Sequence, residues 1–329
     1  MYPFTLERPT NLATAAELGA APVSEFIAGG TDMMQLLTDE IRRPEHLVAL
    51  NGGVLDAHIG IERGGSLRMG AGARMSDVAD HPAVRDAFPL VSQALLLSAS
   101  AQVRNMATIG GNLLQRTRCV YFRDPGVAQC NKRELGSGCA AMDGDNRMHA
   151  VLGVSEHCIA SHASDFAVPL VALDAAVLVR GPKGDRVIPV DDLHQMPGDT
   201  PEVETVLRRG EVITAIDIPA FAGGRRSTYL KVRDRTSFEF ALVSAAVALD
   251  MEGDRIREAR VAMGGVGAKP WRMRGVEQAL ADVRPDDDAF MAAAERASDG
   301  AAPREGNAFK LDLMRRAVFR ALQTVGGNA

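Results

Sequence analysis

The stretch FIAGGTDMM (residues 26–34) connects an expected apolar strand at Glu25 to Ala28 with an apolar helix expected at Met33 to Ile41. It offers two glycines free to adopt positive φ, consecutive backbone N–H groups, a hydroxyl and a helix N-terminus. Together these are the parts of an anion-binding turn, although a paired glycine after a strand is more often a plain tight turn. We therefore look for a second feature of the same kind.

A second glycine turn, TIGGN (residues 108–112), follows about 80 residues later. Two such turns suit a pyrophosphate, which presents charge on two sides. Neither turn fits the G-x-G-x-x-G or G-x-x-x-x-G-K-[ST] pattern. The sequence therefore does not support a Rossmann or P-loop nucleotide site.

The bulk composition excludes some classes of partner. The chain has 329 residues and a formal net charge of -5, which gives no broad electrostatic reason to expect nucleic acid. It has neither a run of about 18 apolar residues nor a basic segment leading into an apolar one at its start. We expect no transmembrane segment and no export signal of its own; periplasmic export with a signal-bearing partner and a cytoplasmic location both remain open.

The chain divides into an N-terminal domain, residues 1–223, and a C-terminal α+β domain, residues 224–329. Within the first, residues 115–162 lose all periodicity, which is long for a structureless loop in a compact domain. Beyond the Gly223-Gly224 pair, alternation predicts three antiparallel strands followed by three helices.

All four cysteines, Cys119, Cys130, Cys139 and Cys158, lie in this aperiodic insert, with 10, 8 and 18 residues between successive members. Disulfides are not needed by a chain with a large core, and zinc usually draws C-x2-4-C pairs, which are absent here. A four-iron cluster tolerates thiolates from a wrapping loop and is the favoured interpretation.

Nearby residues suit such a cluster. The insert supplies five basic residues against its negative charge and two glycines whose N–H groups could approach sulfur: Arg116, Arg118, Arg123, Lys132, Arg133, Gly136 and Gly138. His149, His157 and His162 are alternative ligands, although a solvated or hydrogen-bonded histidine is commoner.

Several segments, including ASAQVRNMATIGGN (99–112), SDFAVPLVALDA (164–175) and YLKVRDR (229–235), resemble the FAD-binding medium subunits of the xanthine dehydrogenase and aldehyde oxidoreductase family. GNLLQRTRC (111–119) and QCNKRELGSGCAA (129–141) are similar to the bacterial aldehyde oxidoreductase branch, which adds a [4Fe-4S] insert. The resemblance implies an α+β fold: a p-cresol methylhydroxylase-type FAD-binding domain in two subdomains, about 1–55 and 56–223, and a small C-terminal domain of the CO dehydrogenase flavoprotein type.

The resemblance also implies roles for individual residues. Leu114 and Ile213 would pack near the isoalloxazine, Lys231 would contact the flavin, and the four cysteines would be cluster ligands. From the residues alone, Asp165 is equally an N-cap neighbour or a hydrogen-bond acceptor for a sugar-chain hydroxyl; the resemblance favours the latter. The FAD diphosphate would be held by Phe26, Ile27, Ala28, Gly29, Gly30, Thr31, Asp32, Met33 and Met34 on one side and by Thr108, Gly111 and Asn112 on the other.

The implied activity is electron transfer with no catalytic side chain in this chain. A large partner subunit would carry the molybdenum cofactor and oxidise an aldehyde, a small one would carry two [2Fe-2S] clusters, and FAD would pass electrons to an external acceptor. Two alternatives remain open: a self-contained FAD-dependent dehydrogenase and a flavin-free zinc-binding assembly module.

Overall fold

The first fifty residues form a small three-stranded parallel sheet with the strand order β1-β3-β2 in the computed structural model, which describes residues 1–327. A Cβ built on Gly19 would lie 2.0 Å from the ring of Phe26, so the first helix packs directly on the strand that leads into the first glycine turn. The second helix ends at Thr38 and not at Ile41 as predicted, because Glu40 adopts φ +58. The elements are β1 (Thr5–Glu7), α1 (Leu12–Ala20), β2 (Ser24–Ile27), α2 (Met33–Thr38) and β3 (His46–Ala49).

The middle of the chain forms a five-stranded antiparallel sheet with the order β4-β5-β8-β6-β7. Its buried residues, such as Met69, Val177 and Ile216, belong to one core with the helices. The elements are β4 (Ile59–Ile61), β5 (Leu67–Gly70), α3 (Met75–Asp80), α4 (Pro82–Ala87), α5 (Pro89–Leu97), α6 (Ala101–Arg104), α7 (Ile109–Leu113), α8 (Val120–Arg123), α9 (Ala167–Ala172), β6 (Ala176–Gly181), β7 (Gly184–Pro189), α10 (Val190–Leu193) and β8 (Val212–Ile218).

The insert between α7 and α9 has little regular structure. Its one helix, α8, is a single turn, and an isolated bridge joins Cys130 to Cys139. The rest is held by backbone hydrogen bonds in turns and by side-chain hydrogen bonds to backbone groups, such as that from Asn131 Nδ2 to the carbonyl of His157.

The C-terminal region forms a four-stranded antiparallel sheet, β12-β11-β10-β9, with helices on one face. The three predicted strands and three predicted helices are all present. The elements are β9 (Ser227–Val232), β10 (Val243–Glu252), β11 (Arg255–Gly264), β12 (Trp271–Arg272), α11 (Arg274–Ala279), α12 (Asp287–Ala294) and α13 (Lys310–Gly326), with 3₁₀ turns at Ala222–Gly224, Glu295–Ser298 and Glu305–Asn307.

Strand β10 is covered on both faces. Val243, Ala245 and Val247 pack under the C-terminal helices, whereas Ala246 joins the core of the five-stranded sheet and its helices. The two regions thus share apolar contacts across the C-terminal sheet. None of the helices in residues 1–327 combines the length and the apolar character needed to cross a bilayer.

Candidate functional site

The first glycine turn lies directly against the backbone that precedes the second. Strand β2 ends at Ile27, Gly30 adopts φ +74, and α2 begins at Met33. A Cβ built on Gly29 would lie 2.0 Å from the carbonyl oxygen of Met106, so only glycine allows this approach.

Hydrogen bonds made by the side chains of Thr108 and Asn112 fix the second turn. Thr108 caps α7, and its Oγ1 accepts a hydrogen bond from the N–H of Gly111 at 3.2 Å. The side chain of Asn112 donates to Met75 Sδ at 3.3 Å and accepts from Ser164 Oγ at 2.5 Å. Because Thr108 uses its hydroxyl oxygen as an acceptor, its O–H remains able to donate to a ligand.

Both turns line one cavity of about 770 Å³. This volume lies within the range of about 300–1,000 Å³ that is usual for cofactor and ligand sites. Leu114 and Ile213 provide apolar wall, and a loop between β9 and β10 contributes Phe238 and Phe240. Of the residues predicted to bind FAD, the cavity lining includes Phe26, Ile27, Ala28, Gly29, Gly30, Thr31, Asp32, Met33, Thr108, Gly111, Asn112, Leu114, Asp165 and Ile213.

Two predicted residues lie elsewhere. Met34 is 43% exposed and is not part of the cavity lining. Lys231 is buried, and its ammonium contacts the Asp165 carboxylate at 2.7 Å and donates to the carbonyl of Leu97 at 3.1 Å. Lys231 therefore reaches the cavity through Asp165, and its predicted contact with the flavin stays a prediction.

Asp165 accepts hydrogen bonds from three side chains. Besides Lys231, Tyr229 donates to it at 2.7 Å and Ser98 at 3.2 Å. Burial, followed by the negative charge of Asp165, raises the pKa of Tyr229 well above its usual value. The role of Tyr229 was not predicted: its position in an alternating strand and in the YLKVRDR segment indicated no contact with Asp165.

The four cysteines are free thiols and line one small cavity together with Lys132. His149 Nε2 lies 3.1 Å from Cys119 Sγ, and the N–H of Ala160 donates to the sulfur of Cys158 at 3.4 Å. Burial raises the pKa of the Cys119 thiol to about 12 and that of Cys158 above its usual value. Within residues 1–327, no three His, Cys, Asp or Glu side chains lie close enough together to hold a single metal ion.

The insert's other predicted contacts differ from the expectation. The N–H groups of Gly136 and Gly138 donate to Asn131 Oδ1, at 3.0 and 2.9 Å, and not to sulfur. Arg118 and Arg123 pair with Asp32 of the first glycine turn. The basic residues of the insert thus bind backbone carbonyls and carboxylates.

The three insert histidines have separate environments. His149 contacts Cys119, and His157 lies 3.5 Å from Asp199. The ring of His162 packs edge-on against that of the buried His194, with centroids 4.3 Å apart, and desolvation lowers the pKa of both imidazoles.

Comparison with known proteins identifies the chain's relatives. A family profile described as "FAD binding domain in molybdopterin dehydrogenase" matches residues 2–221, and one described as "CO dehydrogenase flavoprotein C-terminal domain" matches residues 228–325. The chain is 45% identical to the aldehyde oxidoreductase FAD-binding subunit PaoB of Escherichia coli (strain K12), over 100% of both chains. It is 26% identical to the carbon monoxide dehydrogenase medium chain of Hydrogenophaga pseudoflava, over 94% of this chain and 91% of that one.

Solved structures show the same fold. The carbon monoxide dehydrogenase of Hydrogenophaga pseudoflava that lacks the Mo-pyranopterin moiety superposes with a TM-score of 0.76 and 24% identity, over 99% of this chain and 98% of that one. Quinoline 2-oxidoreductase of Pseudomonas putida 86 gives a TM-score of 0.76 at 23% identity, with the same coverage.

The fold and the cavity are those of an oxidoreductase flavoprotein subunit. The chain belongs to the family of FAD-binding medium subunits of the molybdenum hydroxylases. The predicted fold class, an FAD-binding domain followed by a C-terminal domain of the CO dehydrogenase flavoprotein type, is confirmed. The names of the profiles and relatives mention FAD and no [4Fe-4S] cluster, so the comparisons do not support the predicted cluster.

Proposed function

We propose that this chain is the FAD- and [4Fe-4S]-carrying electron-transfer subunit of a heterotrimeric, molybdenum-containing aldehyde oxidoreductase. It would act between the [2Fe-2S] clusters of a small partner subunit and an external electron acceptor, while a large partner subunit holds the molybdenum cofactor. The observation that carries the proposal is the close contact of two glycine turns along one cavity of about 770 Å³. The choice of aldehyde rests on the relative that is 45% identical over the whole chain.

The backbone amides of the glycine turns would hold the FAD diphosphate. The cavity cations Arg116 and Arg118 are already paired with carboxylates, whereas the N–H groups of a glycine turn at a helix N-terminus are donors that suit an anion. Asp165 would accept from a sugar-chain hydroxyl, and Lys231 would orient that carboxylate. Leu114 and Ile213 would exclude water from the isoalloxazine.

The four cysteines fit a cluster better than a single ion. All of them line one cavity, yet no three metal-ligating side chains within residues 1–327 lie close enough for one metal. A cube of four irons takes one thiolate per iron and so needs ligands spread around it. Buried thiols whose pKa is raised stay neutral unless a metal or a cation stabilises the thiolate, and a cluster would supply that stabilisation.

The proposed division of the chain is residues 1–223 for FAD binding and 224–329 for the C-terminal domain, with subdomains at about 1–55 and 56–223. The gap between the two profile matches, from residue 221 to 228, supports a boundary there. Bound FAD supplies a two-electron centre and the cluster a one-electron centre; in this proposal the side chains position these groups, and none acts as an acid, base or nucleophile.

Anaerobic purification of the full chain, with iron, sulfide, zinc and flavin counts, tests the proposal. We expect about one FAD and about four irons per chain. FAD without iron would instead favour a self-contained dehydrogenase, and zinc without flavin an assembly module. Co-purification with a molybdenum-containing and a [2Fe-2S]-containing polypeptide would argue against both alternatives.

Two variants sharpen this test. Cys130→Ser should lose iron because a ligand is removed, whereas Asp143→Asn, at an exposed position of the same insert, should keep it. Full iron in Cys130→Ser would remove the cluster from the proposal while leaving the FAD site intact.

A further inference from the structure

Two carboxylates in the wall of the flavin cavity are held by basic residues of the cysteine insert. Asp32 lies on the first glycine turn, and Glu204 lies in the segment before β8. We call Asp32 and Glu204 the clamp carboxylates. Both line the cavity, and both are paired with insert residues that are distant from them in the sequence.

Asp32 is bonded to the start of the insert. One oxygen accepts from the backbone N–H of Arg116 at 2.8 Å, and the other contacts Arg118 at 2.7 Å and Arg123 at 2.8 Å. The Asp32 side chain is 17% exposed. Such a partly buried, multiply bonded carboxylate fixes the turn to the insert more firmly than a surface ion pair would.

Glu204 is bonded to two further insert residues. Lys132 Nζ lies 2.8 Å from its Oε1 and donates to the carbonyl of Pro201 at 2.8 Å, and the guanidinium of Arg116 contacts its Oε2. The side chains of Arg116 and Lys132 are 11% and 9% exposed. Burial lowers the pKa of Arg116, so the charge of Glu204 is needed to hold this cation in place.

The same cations lie beside the cysteines. Arg118 immediately precedes Cys119, and Lys132 is two residues after Cys130 and lines the cysteine cavity. A change in the position of these cysteines therefore moves the cations that hold Asp32 and Glu204. The cysteine loop and the flavin cavity are thus connected by charged hydrogen bonds and not only by apolar packing.

We propose that the clamp carboxylates couple cluster assembly to flavin binding: an assembled cluster fixes the insert cations, and these fix the cavity wall that holds FAD. This inference rests on the proposed function. Because such coupling is reciprocal, bound FAD stabilises the cluster by the same factor, and couplings of this kind typically change affinity about 5- to 150-fold.

The test compares FAD affinity of the full chain with and without its cluster, which is removed by ferricyanide and a chelator. The dissociation constant is followed by the quenching of FAD fluorescence. In the wild type, cluster removal should weaken FAD binding roughly 5- to 150-fold. In the Asp32→Asn/Glu204→Gln double variant, the ratio of the two constants should approach one, because the link is broken.

Asp217→Asn is the matched control. It breaks the Arg68–Asp217 ion pair of 2.8 Å on the five-stranded sheet, outside the cavity lining, and should keep the wild-type ratio. Glu204→Gln alone, checked by circular dichroism, serves if the double variant does not fold, and should give an intermediate ratio. The inference would be overturned by a ratio of one in the wild type, or by a ratio as large as that of the wild type in either clamp variant. Wild-type protein without iron would refute the proposed cluster, and the inference with it, before any titration.

Discussion

A single methyl group at Gly29 would lie 2.0 Å from the carbonyl oxygen of Met106. The backbones of the two glycine turns would have to separate to accept it. Overpacking of this kind costs about 1–3 kcal/mol. Because the strained turn lines the FAD cavity, Gly29→Ala should lower FAD affinity roughly 5- to 150-fold. The ratio of flavin to protein absorbance after dialysis measures this loss.

Gly275 offers the matched control for this substitution. It lies in α11, where an added Cβ would meet only Arg296 Cβ at 3.7 Å, an ordinary contact. Gly275→Ala should therefore keep its FAD and stabilise the helix slightly. Equal FAD retention by both variants would contradict the close approach at Gly29.

Lys310 predicts a pH dependence of stability. Its ammonium is completely buried and donates to the carbonyls of His149 and Gly265, at 2.9 and 2.7 Å. Burial, aided by Arg147, lowers its pKa from 10.5 to about 7. Between these two pH values the unfolded chain holds a proton that the folded chain has released, so this residue makes the free energy of unfolding increase as pH rises.

Lys310→Met should remove that increase. Thermal unfolding at pH 7 to 10 should show the wild type gaining stability relative to the variant as pH rises. Lys183→Met, in the exposed turn between β6 and β7, should follow the wild-type curve. Parallel curves for wild type and Lys310→Met would show that Lys310 does not titrate in this range.

Strand β9 joins the C-terminal sheet to the flavin domain through two alternate residues. Tyr229 and Lys231 project to the same face and both reach Asp165, which lies just before α9. The side chains of Lys231 and Asp165 are only 1% and 6% exposed. Removing one partner leaves an uncompensated buried charge, which costs about 3–5 kcal/mol.

Lys231→Ala should therefore lower the free energy of unfolding by about 3–5 kcal/mol. The Lys231→Met/Asp165→Leu double variant should lose less than the sum of its two single variants, because neither charge is then left unpaired. Urea unfolding of the wild type, Lys231→Met, Asp165→Leu and the double variant measures the difference. Strictly additive losses would mean that the two residues do not interact.

The glycine turns and the C-terminal strands could be predicted because their signals are local. A glycine pair after a strand and an alternation of period two need only neighbouring residues. The partner of Lys231 could not be predicted from its own segment, because Asp165 lies 66 residues away in the sequence. Asn131 was missed as the acceptor for Gly136 and Gly138 for a different reason: it is only five and seven residues away, but the insert has no periodic pattern that would predict the turn bringing its side-chain oxygen to both N–H groups.

The predictions of helices and strands in the N-terminal region were less complete. Strands β7 and β8 had no clear prediction, and neither had helices α3 and α4, whose six residues are fewer than two helical turns. The insert is the extreme case. Its order comes from hydrogen bonds to backbone groups and from charged contacts to distant carboxylates, and not from periodic burial. Composition could therefore indicate a shared role for the cysteines but not the path of the chain.

The N-terminal and C-terminal regions of the chain share a buried strand and one cavity. Strand β10 packs into both cores, and the loop that follows β9 brings Arg235, Phe238 and Phe240 to the cavity lined by the glycine turns. A ligand in this cavity contacts both regions. Its binding free energy should therefore stabilise them together.

Saturating FAD should raise the melting temperature of the flavin-depleted chain in one cooperative transition. At a free concentration 100 times the dissociation constant, the expected gain is about 2.7 kcal/mol. At about 2.1 cal/mol/K per residue, the unfolding entropy of a 329-residue chain is about 0.7 kcal/mol/K, so scanning calorimetry should record a rise of about 4 °C.

FMN at the same concentration is the control for this measurement. It presents one phosphate, whereas two glycine turns would hold the diphosphate of FAD in the proposed site, so FMN should produce a much smaller rise. If FMN and FAD raised the melting temperature equally, the second turn would contribute nothing to phosphate binding. If FAD shifted only one of two separate transitions, the C-terminal loop would not contact the ligand, and the cavity would belong to the N-terminal region alone.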